Sequence, residues 1–320
     1  MRWQAIQRSN FRERKALADF LALPEGDRQT LSPDPAFPLN LPLRLAQKIE
    51  KGNINDPILL QFLPQKKEQE SRVGDQIDPV GDAASCTTPR LLHKYHGRAL
   101  LLCSGACTMH CRFCFRQHYP YAEGGTSFEE ELAAIRSDPS LREIILSGGD
   151  PLSLSDPALL SLIHRLESIP HLTLLRIHSR FPLGIPERVT PALREALIHS
   201  RLQVIFALHI NHPREADPEV MAALSLLREG GIPILSQTVL LKGVNDDVET
   251  LHSLFQGLIE SGIMPYYLHQ LDPVVGASHF RVSPSVGLHL IDKLRNLLPG
   301  YALPRYVQEI AGASSKSPLI

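Results

Sequence analysis

The sequence predicts an α/β protein built as a partial (β/α)6, TIM-like barrel of parallel strands behind an irregular, partly helical N-terminal arm. Two observations carry that prediction. From about residue 98, short apolar runs of strand length alternate with longer amphipathic stretches, a pattern that calls for parallel strands joined by crossover helices. Polar or Gly-rich groups then gather at the C-terminal ends of successive runs: Ser104-Gly105, Ser147-Gly148-Gly149-Asp150, His178-Ser179-Arg180, His209, Gln237 and His269-Gln270. An open doubly wound sheet would satisfy the alternation as well. A ligand-binding rim fed by all six strands favours the barrel.

In chain order, Asn10 is placed to cap a helix over 11–23, and 43–51 reads as a short helix closed by Gly52. Pro33, Pro35, Pro38, Pro42, Pro57 and Pro64 follow or interrupt these, and the charged run 66–70 reads as a solvated face. Strands are expected over 99–104, 143–147, 174–178, 203–209, 233–240 and 265–270. Helices are expected near 129–137, 157–169, 191–200, 218–229, 248–261 and 284–298. The resulting division is a wrapping arm (1–95), a barrel (96–300) and a C-terminal segment (301–320).

Composition excludes several classes. Among 320 residues, 33 Lys and Arg face 34 Asp and Glu for a net charge of −1, so no overall field favours nucleic acid or a membrane surface. The longest apolar runs, such as 99–103 and 204–208, fall far short of the roughly 18 residues of a membrane span. The start Met-Arg-Trp-Gln lacks the apolar core of a secretory signal, so a cytoplasmic protein is expected. In that reducing compartment five cysteines do not suggest a disulfide framework.

Three of those cysteines, Cys107, Cys111 and Cys114, follow the first strand at spacings of three and two. One short loop can turn three such thiolates toward a common centre, which suits an iron–sulfur cluster or zinc. Zinc would need a fourth ligand, for which His110 or His118 is available, and would make the protein a binding or structural module. Three inert, packed cysteines are the plainest alternative. Cys86 and Cys103 stand apart and are assigned to packing.

Cys107-Thr-Met-His-Cys111-Arg-Phe113-Cys114 resembles the CxxxCxΦC motif of the radical S-adenosylmethionine enzymes. The resemblance implies a [4Fe–4S] cluster on Cys107, Cys111 and Cys114 with one iron open to S-adenosylmethionine. Gly148-Gly149-Asp150 resembles the superfamily segment that meets the methionine amino group through backbone carbonyls, the glycines allowing close approach. From Cys107 to Lys316 the chain is similar to the lysine 2,3-aminomutases. The matches include Arg176-Ile-x-Ser179-Arg180-x-Pro182, His209-x-Asn211-His212-Pro213, Gln237-x-Val239-Leu-Leu-x-Gly243-Val-Asn245-Asp246 and His279-Phe280-Arg281.

That resemblance implies an isomerase moving the α-amino group of free L-lysine to its β-carbon, with pyridoxal 5′-phosphate as a further cofactor. Lys316 takes the place of the Schiff-base lysine, although Gly312-Ala-Ser-Ser315 stands where the family has a run of glycines. Arg116 takes the place of the arginine for the substrate α-carboxylate. Asp272 and Glu309 take those of the two carboxylates for the distal ammonium, Glu309 replacing an Asp. His209 and Gln237 map to S-adenosylmethionine contacts. Lys94, in place of an Arg, and Arg98 map to the coenzyme phosphate and ring. His269 replaces a Tyr and receives no role.

The chain stops four residues after Lys316, without the zinc-binding extension of the catabolic enzymes. It therefore resembles the short bacterial branch that supplies β-lysine for elongation factor P through a lysyl-tRNA-synthetase-like ligase. An electron donor for the cluster is implied, and no structural zinc. A catabolic lysine 2,3-aminomutase, or another amino-acid 2,3-aminomutase, is the alternative.

Overall fold

The computed structural model describes residues 3–121 and 127–319. Its single sheet runs β1 (Cys86–Thr88), β2 (Leu91–Tyr95), β3 (Arg98–Ser104), β4 (Glu143–Gly148), β5 (Leu174–Ser179), β6 (Gln203–His209), β7 (Ile234–Val239), β8 (Met264–His269), β9 (Arg305–Gln308) and β10 (Ser317–Pro318), each beside the next. Neighbours from β3 to β9 are parallel, while β1–β2, β2–β3 and β9–β10 are antiparallel. The six expected strands are β3 to β8, each within about a residue of its expected ends. The sheet also recruits β1 and β2 from the arm and β9 and β10 from the C-terminal segment. It ends at β1 and β10 without closing.

Among the described residues, four of the six crossover helices begin at a side-chain cap, whereas those starting at Glu129 and Asp156 do not. Thr190, Asp217, Asp247 and Ser283 each accept a backbone N–H of the first turn, and all but Asp247 are followed by a proline, whose missing N–H costs nothing there. Along β5, Leu175 and Ile177 are buried in the layer shared with the helices, alternating with the less buried Arg176 and His178. That layer is the main core and includes Leu146, Phe206, Leu208, Leu159, Leu193, Leu224 and Leu254.

The arm differs from its expected form. Phe11 pairs with Leu41 in an antiparallel bridge, so the first expected helix is shortened to Arg14–Phe20. Asn10 caps nothing; its amide donates to Asn40 Oδ1 (2.8 Å) and to Thr108 O (2.7 Å). The second helix is only Leu43–Gln47. A separate arm core of Leu17, Leu21, Leu41, Leu45, Ile58, Leu59 and Phe62 also takes in Met109, from within the cysteine loop.

Candidate active site

One cavity of about 620 Å³ occupies the concave side of the sheet, and strands β2 through β10 all contribute to its wall. Every site residue expected from the sequence lines it: Cys107, Cys111, Cys114, Gly148, Gly149, Asp150, His209, Gln237, Arg116, Asp272, Glu309, Lys94, Arg98 and Lys316. The polar lining is not confined to the strand rim. Arg98, Arg176, His178, Tyr267 and Arg305 face the cavity from within the strands, where a closed barrel would pack aliphatic layers. Arg176 and His178, at alternate positions of β5, are the sequence signal for this.

The arm builds the cysteine loop. Asn40 donates to Cys107 O (3.0 Å), His110 N to Asn40 O (2.9 Å) and Arg112 N to Gln61 O (2.9 Å). Buried Arg112 donates through Nε to Glu68 Oε1 (2.9 Å), and a second, short contact joins Nη2 to Glu68 Oε2. The run 66–70 is solvated at Lys66, Gln69 and Glu70, as expected, but Glu68 turns inward: a fully buried guanidinium needs a counter-charge, and Glu68 supplies it. Each histidine next to the cysteines has one ring nitrogen at a backbone carbonyl. His110 Nδ1 lies 2.9 Å from Pro38 O with its ring stacked on Phe37, and His118 Nε2 lies 3.1 Å from Val275 O.

Burial raises all three thiols, Cys114 to about 11, so they are neutral without a metal. A bound metal reverses that balance. Arg180 Nη1 lies 2.8 Å from Cys111 Sγ and its Nη2 2.7 Å from Glu215 Oε2, so a fixed cation already faces the sulfur. Three thiols on one cavity wall beside a buried guanidinium fit an anionic iron–sulfur cluster.

The glycines have a reason beyond ligand approach. A Cβ on Gly149 would lie 2.4 Å from Ala106 O, and one on Gly148, at φ +117°, 2.6 Å from Ser104 O. The end of β4 is locked to the cysteine loop through Gly149 N to Ser104 O (2.7 Å) and Asp150 N to Ala106 O (2.9 Å). The Asp150 carboxylate accepts from Ser179 Oγ and from the backbone N–H groups of Leu152, Arg180 and Phe181. It staples β4 to β5.

Across the cavity lies a chain of charges. Arg116 Nε donates to Asp82 Oδ2 at 2.6 Å, and Lys94 Nζ lies 2.6 Å from Asp82 Oδ1. Lys94 also donates to Val80 O (2.8 Å) and Glu309 Oε1 (3.2 Å). Three oxygens therefore surround the ammonium that was expected to meet a phosphate. Glu309 Oε2 accepts from Lys316 Nζ. Burial alone would raise the Glu309 pKa; Lys316 and Lys94 outweigh it and hold the group below the usual range. Asp272 is pushed up to about 7, by burial and then by Glu309.

Lys316 ends the loop between β9 and β10, whose pairing sets Ser317 opposite Gln308. Gly312 alone in that loop takes a positive φ, +79°, so the chain path leaves Ala313, Ser314 and Ser315 free not to be glycine. His209 Nε2 lies 3.3 Å from Asn211 Oδ1, and burial lowers its pKa to about 3, keeping it neutral; it is the register partner of Gln237. His269 is likewise held neutral by burial. Cys103 is buried as expected, whereas Cys86 is exposed, its Sγ 3.4 Å from the Tyr119 hydroxyl. Asp82 escaped the sequence analysis because it lies far from any motif, in the arm.

Comparison with known proteins shows what the chain is similar to. The Radical SAM superfamily profile matches residues 101–255. The chain is 44% identical over 286 residues to the L-lysine 2,3-aminomutase of Escherichia coli (strain K12), covering 88% of this chain and 83% of that protein. It is 40% identical over 319 residues to that of Haemophilus influenzae (strain ATCC 51907 / DSM 11121 / KW20 / Rd), covering 98% and 94%. Against the Clostridium subterminale protein it is 35% identical over 276 residues, covering 85% and 66%.

Proposed function

This chain belongs to the L-lysine 2,3-aminomutase family of radical S-adenosylmethionine enzymes, and on that premise we propose that it converts free L-lysine to β-lysine in the cavity described above. It is an isomerase, and its cofactors are a [4Fe–4S] cluster, S-adenosylmethionine and pyridoxal 5′-phosphate. Together these supply a carbon-centred radical able to take a hydrogen from the β-carbon and a carbonyl that condenses with the migrating amine.

The protein's part is to hold, orient and exclude water. Cys107, Cys111 and Cys114 hold the cluster. Gly148, Gly149, His209 and Gln237 border the S-adenosylmethionine, and Asp150 keeps that wall in shape. Lys316 tethers the coenzyme, with Arg98 toward its phosphate and Lys94 steadying the carboxylates beside it. Arg116 takes the substrate α-carboxylate through a planar fork, while Asp272 and Glu309 take the distal ammonium. Pinned at both charged ends, a lysine-length substrate presents one carbon to the radical.

The observation that carries this assignment is that one cavity is lined by the three thiols, Lys316, the cation Arg116 and the anions Asp272 and Glu309. The test is anaerobic incubation of cluster-loaded protein with reductant, S-adenosylmethionine, pyridoxal phosphate and L-lysine. Chromatography should find β-lysine; unchanged lysine over a full cluster would refute the assignment.

The product is destined for elongation factor P, attached by a lysyl-tRNA-synthetase-like ligase. In favour of that branch, identity is higher to the Escherichia coli and Haemophilus relatives, 44% and 40%, than to the clostridial one, 35%. A ligase that charged elongation factor P equally well with α-lysine as with this enzyme's product would count against it.

A further inference from the structure

We propose that Asp82 is the positioning residue that aims Arg116 at the substrate carboxylate, an inference that rests on the lysine-binding role given above to the cavity. Asp82 is buried, at 1% exposure, yet comes from the arm rather than from any barrel strand. Its Oδ2 takes Arg116 Nε at 2.6 Å, the back of the guanidinium. That contact leaves the two Nη groups for a ligand. Nη1 reaches only Ser147 Oγ, at 3.4 Å, and among the described residues the guanidinium makes no other hydrogen bond. A guanidinium held from behind keeps its fork pre-oriented, so less rotational freedom is lost when a carboxylate docks.

Asp82 is itself held. Its backbone N–H donates to Asp78 Oδ1 (2.8 Å) and that of Ala83 to Asp78 Oδ2 (2.9 Å). The intervening Gly81 has φ +67°, and a Cβ there would come within 3.2 Å of Ala311 Cβ. The turn 78–83 thus lies close against the Lys316 loop at Ala311. The other oxygen, Oδ1, lies 2.6 Å from Lys94 Nζ, which bridges on to Glu309. One carboxylate thus joins the cation for one end of the substrate to an anion for the other. Burial opposes its charge, but Arg116 and Lys94 outweigh that and hold the pKa below the usual range.

The test is a calorimetric measurement of L-lysine and L-lysinamide affinity on holoenzyme with cluster, S-adenosylmethionine and coenzyme but no reductant, so nothing turns over. Asp82→Asn should weaken L-lysine about tenfold, the loss of a charge-assisted hydrogen bond, and lysinamide, which lacks the carboxylate, less than about twofold. In an Arg116→Met background the same substitution should add less than about twofold, because the route runs through Arg116. Asp82→Glu should recover most of the affinity. If Asp82→Asn loses its iron or folds poorly, Asp82→Ser replaces it in the same comparison. Equal weakening of both ligands, a full additive effect without Arg116, or unchanged lysine affinity in a folded, cluster-loaded variant overturns the proposal. A wild type with no preference for L-lysine over lysinamide overturns the lysine assignment too, whereas a wild type with that preference and an insensitive Asp82→Asn condemns only the role of Asp82.

Discussion

Glu309 accepts a hydrogen bond from Lys316 across the loop between β9 and β10, so a lysine ammonium of the protein itself occupies one of the carboxylates assigned to the substrate ammonium. On the proposed roles, Lys316 and substrate would compete for Glu309 until the coenzyme engages Lys316. In coenzyme-free protein, Lys316→Ala is therefore expected to bind L-lysine about tenfold more tightly than wild type, since a charge-assisted bond no longer has to be displaced. Titration calorimetry on both proteins decides it; equal affinities would show that Lys316 does not occupy the substrate's place.

Asp272 links the same site to pH. Its pKa of about 7 means that the anionic form, which attracts an ammonium, prevails at pH 8 and is scarce at pH 6. Lysine affinity should fall about tenfold over that interval and lose the dependence in Asp272→Asn. The stability sign follows from the same shift. Between about pH 4 and 7 the native protein keeps a proton that the unfolded chain has released, so this group's contribution to unfolding free energy declines as pH rises. Thermal melts at pH 5 and 8 should show Asp272→Asn gaining on wild type at the higher pH; a constant difference would contradict the raised pKa.

The barrel was legible because each local signal agreed with the next. Thr190-Pro191, Asp217-Pro218 and Ser283-Pro284 announce helix starts, and the short runs that alternate with these helices have strand length. The site was legible where chemistry forces a spacing, as in Cys107, Cys111 and Cys114. What stayed hidden depends on partners remote in sequence. The bond from Asn10 to Thr108 spans 98 residues, and Glu68 pairs with Arg112 from a run that looks like ordinary solvated charge. Asp82 joins Arg116 and Lys94 only after β2 and the arm are in place.

The contact between Gly149 and the cysteine loop separates backbone from ligand effects. Gly149→Ala should lower the iron retained after anaerobic reconstitution to less than about half, because its Cβ would overlap Ala106 O and displace Cys107. Asp150→Ala should cost about 2–4 kcal/mol by stranding the backbone N–H groups of Leu152, Arg180 and Phe181. Iron analysis and denaturant unfolding check the two, and a fully loaded Gly149→Ala would remove the loop lock from the account.

Arg112 and Glu68 provide the sharpest test of the arm. Arg112 is 1% exposed, donates to Phe37 O (2.7 Å) and depends on Glu68 for its counter-charge. Glu68→Ala leaves that charge buried without a partner, which should cost about 3 kcal/mol or more, seen as a lower denaturation midpoint. Removing both charges in Glu68→Met/Arg112→Met should restore much of the loss, since apolar groups of similar size need no compensation in a dry setting. Iron content then tells whether the pair serves stability alone. Should the double variant regain its midpoint yet fail to hold iron, the salt bridge shapes the cysteine loop; should it regain both, the arm's backbone bonds from Asn40 and Gln61 suffice to hold that loop.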